Sequence, residues 1–385
     1  MNASLPADRL QQLWPGIVKQ MGEFKRFGDA RVEPFDAAYV VFVTCEFEKF
    51  TLDARVPINK EGLVSGFNFG AHSDYTPPDY VKTASFHEKD VMVGSGAWAL
   101  HGTLTVPNGT GPFPALILVH GSGPYDRDYT LGPNKIFRDI AWGVASRGVA
   151  VLHYNKRTFE HPIPFSKLES ATVKEESVDD ALLAAALLRG MPEINPKKIL
   201  VLGHSLGGTV APRIGKADPS ISGLIIAGGA ALPILDHFVP QAMVELAAKG
   251  PMTRADERQL ERLKAQVERA QDPDLKPDMP ALDLPLGASA SYWLDLRSYH
   301  PDQVALGLKQ PMLILQGGGD YRVTRDDLAV WQKTLNSRKD VSFKVYPKLN
   351  HNLIEGEGPS SNVEYRKPGH ASVAVIEDIA AWINR

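Results

Sequence analysis

From Phe86 onward, short unbroken apolar runs alternate with stretches whose apolar positions recur every three or four residues. The runs "PALILVH", "GVAVLHY", "KKILVLG", "SGLIIAG", "PMLILQ" and "VSFKVYP" are rich in Val, Ile and Leu, and "WALHGTLTVP" reads as an outer strand before them. Between most of them lie amphipathic helical patterns: "NKIFRDIAWGVASRG", "SVDDALLAAALLRGM", "LGGTVAPRIGKA" and "RDDLAVWQKTL". Strands apolar on both faces, alternating with helices, predict an α/β domain with a mainly parallel sheet and helices on both faces. Residues 231–305 break this rhythm with a charged helix, "ADERQLERLKAQVERAQ", and a Pro-rich loop. They are expected to form a helical cap over the carboxyl ends of the strands, where open α/β sheets bind ligands.

The period is different before Phe86. "LPADRLQQLWPGIVKQ" places Leu10, Leu13, Trp14, Ile17 and Val18 on one helical face, with Pro15 expected to kink or divide the helix. "AAYVVFVTCEF", "KFTLDARV" and "GLVSGFNFG" then read as short antiparallel strands. The pattern predicts a small α+β domain over residues 1–70, a polar linker with two prolines over 71–85, and the large domain over 86–385.

Composition narrows the function classes. The 42 Lys and Arg residues against 45 Asp and Glu give a net charge of −3, with no basic stripe that could track phosphates, so no nucleic-acid partner is expected. The longest apolar runs fall far short of the roughly 20 residues that span a bilayer, so no membrane span is expected. The single Cys45, among strand-forming neighbours, reads as a buried structural thiol and excludes an internal disulfide. The segment "MNASLPADRL" has no basic region followed by an apolar one, which predicts no export signal and a cytoplasmic default, or an exported protein if the natural N-terminus lies upstream.

The stretch "ILVLGHSLGGTV" raises a chemical question: why does a lone serine stand between glycines at the end of a buried strand? A strand that enters a helix directly must turn sharply, and small residues on both sides of the turn let the backbone pass close to its neighbours while the apex residue is forced outward. Gly203-His204-Ser205-Leu206-Gly207 therefore reads as a G-x-S-x-G nucleophile elbow. A serine hydroxyl needs a base, and the base needs an orienting acid. Asp320 follows "PMLILQGGG" and His351 follows "VSFKVYPKLN", each just past a predicted strand. The resulting order, Ser205, Asp320, His351, is the one expected when all three project from one edge of an α/β sheet. Two N–H donors for an oxyanion are expected from Leu206 and, in "LVHGSGP", from Ser122, with Gly121 as the alternative to Ser122. No metal spacing and no complete dinucleotide loop is present, so no metal or cofactor is expected. Tyr292 and Trp293, at the end of the insertion, either line the substrate pocket or pack the cap onto the body. His204, inside the elbow, joins the pocket candidates.

The stretches "HGSGPYDRDYTLGPNKIFRDIAWGVASRGVAVLHYNKRT", "GHSLGG", "YWLDLRSY", "PMLILQGGGDYRVT" and "NHNL" together resemble α/β-hydrolase esterases of the bacterial EstD-like, dienelactone-hydrolase-related type. The resemblance covers residues 86–385. It implies a metal-independent carboxylesterase acting on a small-molecule ester, with Ser205, Asp320 and His351 as nucleophile, acid and base. It also draws attention to Asp126 and Arg127, which either line the site or form an ion pair that fixes the loop. The first 70 residues resemble the DUF3887-type domain that precedes some of these hydrolases. A structural role is expected for them, with a homodimer through an exposed sheet edge or helix set beside a plain monomer. A serine peptidase or amidase on the same fold, and a non-catalytic binding protein, are the competing readings.

Overall fold

The computed structural model describes residues 14–19, 21–35, 38–59, 61–71, 75–168, 170–358 and 361–385. The chain divides into two compact units, Met1–Tyr75 and Thr76–Arg385.

In the smaller unit, β1 (Phe24–Phe35), β2 (Ala38–Phe47), β3 (Thr51–Ile58) and β4 (Asn68–Ala71) form an antiparallel sheet in that order. Residues 14–19 are helical, with Pro15 inside the stretch, and the part of the expected helix before Trp14 lies outside the described residues. Its core is Cys45, Phe47 and Ala54, with Ile17, Met21, Phe24 and Phe69 packed around them. Trp14 leans on Phe24 and Phe47 with ring centroids 6.0 Å away in each case. The sequence pattern missed β1. Lys25, Arg26, Gly28 and Asp29 interrupt its apolar alternation, and the strand tolerates them because it is an edge strand with two register shifts against β2.

The larger unit is built on eight strands: β5 (Phe86–Val93), β6 (Leu100–Pro107), β7 (Phe113–Val119), β10 (Ala150–Tyr154), β11 (Ile194–His204), β12 (Gly223–Ala227), β13 (Met312–Gly317) and β14 (Val341–Tyr346). Their spatial order is β14-β13-β12-β11-β7-β10-β6-β5, and β8 (Thr130–Leu131) and β9 (Asn134–Lys135) form a separate hairpin. Strand β7 and the strands from β10 to β14 run parallel, whereas β5 and β6 are antiparallel to their neighbours. Unbroken apolar runs result from burial on both faces: Ala115, Ile117 and Val119 of β7 enter one core, and Leu116 and Leu118 enter the other.

Helix α1 (Ile136–Ala145) covers one face, and α2 (Asp179–Arg189) and α3 (Leu206–Ala217) cover the other. The cap leaves the sheet after β12 as α4 (Phe238–Ala247), α5 (Arg254–Gln271) and α6 (Ala290–Arg297). Thr253 starts α5 with a capping box: its hydroxyl accepts from the Asp256 amide while the Asp256 carboxylate accepts from the Thr253 amide. Helix α7 (Pro301–Leu306), inside the expected insertion, packs instead on α3 and on α8 (Arg325–Leu335) in the layer beside the sheet. The C-terminal helix α9 (Val373–Ile383) joins α1 on its face.

The expected linker needs correction over residues 76–85, which belong to the larger unit. Tyr80 donates its hydroxyl to Ala371 O at 2.7 Å, and the Lys82 amide donates to Ser146 Oγ at 2.9 Å. Two prolines hide regular structure from sequence patterns, but they do not prevent an extended segment from packing. Among the described residues no helix is long and apolar enough to cross a membrane.

Candidate active site

Strand β11 lies between β7 and β12, in the middle of the sheet, and Ser205 stands directly after it. Its backbone has φ +56° and ψ −121°, a strained conformation for a non-glycine residue. The turn can be this tight only because its flanks lack side chains. A Cβ on Gly203 would lie 2.0 Å from Gly207 O, and one on Gly207 would lie 2.2 Å from Val119 O. The lone serine between glycines is thus lifted out of the sheet at the start of α3.

His351 and Asp320 arrive from loops after β14 and β13. The Ser205 hydroxyl donates to His351 Nε2 at 2.9 Å, and the other ring nitrogen, Nδ1, donates to Asp320 Oδ2 at 2.8 Å. Asp320 is itself held, because its Oδ1 accepts the amides of Arg322 and Val323 at 2.8 and 2.9 Å. Burial and these fixed donors keep the carboxylate aimed at the imidazole. The loop that carries His351 is fastened from below, since His204 Nε2 donates to His351 O at 2.7 Å. Burial, and then the neighbouring His351, push the pKa of His204 down to about 3. A neutral His204 has one donor and one acceptor nitrogen, so the Tyr129 hydroxyl, 3.3 Å from Nδ1, donates to it.

Ser122 and Leu206 place their amides at the same end of the sheet. Neither amide makes a hydrogen bond within the described residues, and Leu206 opens α3, where an orphan N–H is inherent to the helix. Gly121 is crowded against the serine, for a Cβ there would lie 2.9 Å from Ser205 Cβ and 2.6 Å from Tyr129 Oη. Of the two alternatives read from "HGSG", Ser122 lines the cavity and Gly121 is not among its lining residues.

A cavity of about 1090 Å³ opens above these groups, and Ser122, Ser205, Leu206 and His351 line its floor. Its upper wall comes from the cap, with Phe238, Leu263, Met279 and Tyr292 among the lining residues. Trp293 is not one of them. Its side chain is only 1% exposed and packs edge-on against Phe238 and Tyr292, at centroid distances of 5.7 and 5.2 Å. Adjacent helical residues point about 100° apart, so one of the two aromatics faces the cavity and the other faces the cap interior. Trp293→Ala is therefore expected to destabilise the protein by about 3 kcal/mol, the usual cost of truncating a buried aromatic. Its acyl-length preference should stay unchanged. Thermal or denaturant unfolding set beside an ester chain-length profile checks this, and an altered profile with an unchanged melting temperature would refute it.

The remaining pocket candidates lie outside the cavity lining. His204 is buried beneath it. Asp126 folds its own loop by accepting from the Thr130 amide at 2.9 Å and from the Thr130 hydroxyl at 2.7 Å. Arg127 turns away to Asp90 Oδ1 at 3.1 Å. The two thus stabilise the loop separately and do not pair with each other.

Sequence reasoning missed three contributors. Tyr129, with φ +54°, was visible only as the last letter of "DRDY". Lys156 is nearly fully buried two residues past β10 and donates to Gly121 O at 2.7 Å and to Glu176 Oε1 at 2.8 Å. It stands at the strand edge that carries the elbow, which was an available signal. Glu176 lies in a π-helical turn, Lys174–Val178, and no sequence pattern marked it.

Residues 116–361 match the model of the Alpha/beta hydrolase family, and residues 1–67 match that of a Protein of unknown function (DUF3887). The chain belongs to the alpha/beta hydrolase family and is an enzyme of the hydrolase class. It is similar over its whole length to Esterase EstD of Thermotoga maritima, at 37% identity over 388 residues that include 89% of that protein. Among solved structures, an esterase from Pyrococcus furiosus matches 82% of this chain and 95% of its own at 17% identity, with a TM-score of 0.50. That likeness concerns the fold alone. Est1E from Butyrivibrio proteoclasticus matches 77% of this chain and 99% of its own at 16% identity, with a TM-score of 0.49.

Proposed function

We propose that the protein is a serine carboxylesterase that works through an acyl-enzyme. The observation that carries this reading is one imidazole, His351, bridging Ser205 Oγ and Asp320 on the floor of a cavity, with two unengaged amides at the same place. His351 Nε2 takes the Ser205 proton as Oγ attacks the ester carbonyl. The carbonyl oxygen becomes negative and is received by the Ser122 and Leu206 amides. The imidazolium, steadied by Asp320, returns the proton to the departing alkoxide, and the alcohol leaves. Water then enters, His351 removes its proton, and the same steps in reverse order free the carboxylic acid and Ser205. All of these groups belong to the larger unit.

The full-length likeness to an esterase supports this choice of substrate. Peptidase activity is less well served by the cavity. A peptide ammonium needs an uncompensated acid, and of the three acids in the wall Glu176 is paired with Lys156 and Glu245 with Arg322 at 2.8 Å, which leaves only the exposed Asp278. Turnover of p-nitrophenyl esters of increasing acyl length, run beside aminoacyl p-nitroanilides, tests the reading. Esters should be hydrolysed with a clear length optimum and the anilides should not. Faster cleavage of the anilides would assign the protein to the peptidases.

A further inference from the structure

A trans peptide is planar, and its C=O and N–H point to opposite sides. The carbonyl of Gly121 and the amide of Ser122 belong to one such peptide. Whatever grips the Gly121 oxygen therefore sets the direction of the Ser122 N–H. That grip is Lys156 Nζ, 2.7 Å from Gly121 O, on a side chain only 3% exposed. An ammonium at that distance also draws electron density toward the carbonyl oxygen, which makes the N–H on the other side of the plane a stronger donor.

Burying a lysine is costly unless its charge is balanced. Glu176 Oε1 provides the balance at 2.8 Å, and its second oxygen accepts the Tyr292 hydroxyl at 2.9 Å. A single line of contacts thus runs from cap helix α6 through Tyr292, Glu176 and Lys156 to the peptide that carries Ser122. Glu176 and Tyr292 both line the cavity, so the line runs along its wall.

We propose that Lys156 is a positioning residue for the oxyanion donor: it orients and polarises the Gly121–Ser122 peptide, with Glu176 as its counter-charge and Tyr292 as the link to the cap. The role rests on the reading of Ser205 as nucleophile and Ser122 as donor. It places Lys156 in transition-state stabilisation and out of ground-state binding. Loss of one oxyanion donor typically lowers kcat by 10²–10³-fold. Lys156→Met, which keeps the length of the side chain but not its charge, should lower kcat by about 10²-fold and leave KM within about twofold.

The test is the full-length enzyme, assayed with its preferred p-nitrophenyl ester and with a trifluoromethyl ketone. Ser205 Oγ bonds to the ketone carbon, the C=O electron pair moves onto oxygen, and the serine proton goes to His351, so the inhibitor reproduces the oxyanion. Its Ki should rise in Lys156→Met in parallel with the loss of kcat, and Lys156→Arg should recover part of both. Should Lys156→Met not fold, Glu176→Gln provides the same comparison, with an expected kcat loss of about 10-fold at unchanged KM. Unchanged kcat and Ki in whichever variant is folded, or a rise in KM that accounts for the whole loss, would overturn the role and leave Lys156 a structural ion pair. Ser205→Ala, assayed in parallel, separates the two levels: turnover that survives there defeats the underlying reading and not the lysine assignment alone.

Discussion

Ser205→Ala is expected to abolish labelling by a fluorophosphonate probe and to lower ester turnover by about 10⁵–10⁶-fold, as removal of a serine nucleophile does in enzymes of this logic. The probe requires a hydroxyl that shares a general base and a site for the developing P–O⁻ charge. The proposed roles give Ser205 both: its hydroxyl is 2.9 Å from His351 Nε2, and Ser122 and Leu206, the proposed donors, line the same cavity. The fold should survive the change. Ser205 N donates to Ala227 O at 2.9 Å and the Thr209 amide donates to Ser205 O at 2.9 Å, so the elbow is held through its backbone. Mass spectrometry of the intact labelled protein, with the modified peptide mapped, decides the matter. A probe adduct on any other residue, or labelling that persists in Ser205→Ala, would move the nucleophile elsewhere.

The second large effect is expected from Asp320→Asn, at about 10⁴-fold in kcat, or about 5.4 kcal/mol of activation free energy at 1.36 kcal/mol per decade. An amide in place of Oδ2 presents an N–H to His351 Nδ1, which turns that nitrogen into an acceptor and puts the ring proton on Nε2. The imidazole then cannot take the Ser205 proton. The side-chain oxygen in the Oδ1 position can still accept the Arg322 and Val323 amides, so the loop after β13 should keep its shape. Steady-state kinetics with circular dichroism as the folding control measure both halves of the prediction. Near-wild-type kcat in a folded Asp320→Asn variant would transfer the orienting role to another acid.

Much of the site was legible in the sequence because its pieces announce themselves locally. A serine flanked by glycines after "KILVL" needs a sharp strand-to-helix turn, and the clashes at Gly203 and Gly207 are the cost of any other residue there. Asp320 and His351 come after apolar runs that could only be strands, and parallel strands deliver their succeeding loops to one edge of the sheet. Local pattern was weaker where an element lies at an edge or carries charge. Strand β1 was missed for its charged residues. The start of the larger unit was set too late, since Tyr80 anchors a Pro-containing segment by a bond to Ala371, nearly three hundred positions away along the chain.

By itself, the sequence determined the alternation of strands and helices, the sharp turn at Ser205 and the order Ser205, Asp320, His351, because each depends on residues adjacent along the chain. Only the tertiary structure decided what lies across space. It turned Tyr292 toward the cavity and Trp293 into the cap, separated Asp126 from Arg127, and brought Lys156, Glu176 and Tyr292 together behind the Gly121–Ser122 peptide. A helical period says which residues share a face but not which neighbour that face meets, and a buried lysine is tolerable only where the fold supplies its counter-charge.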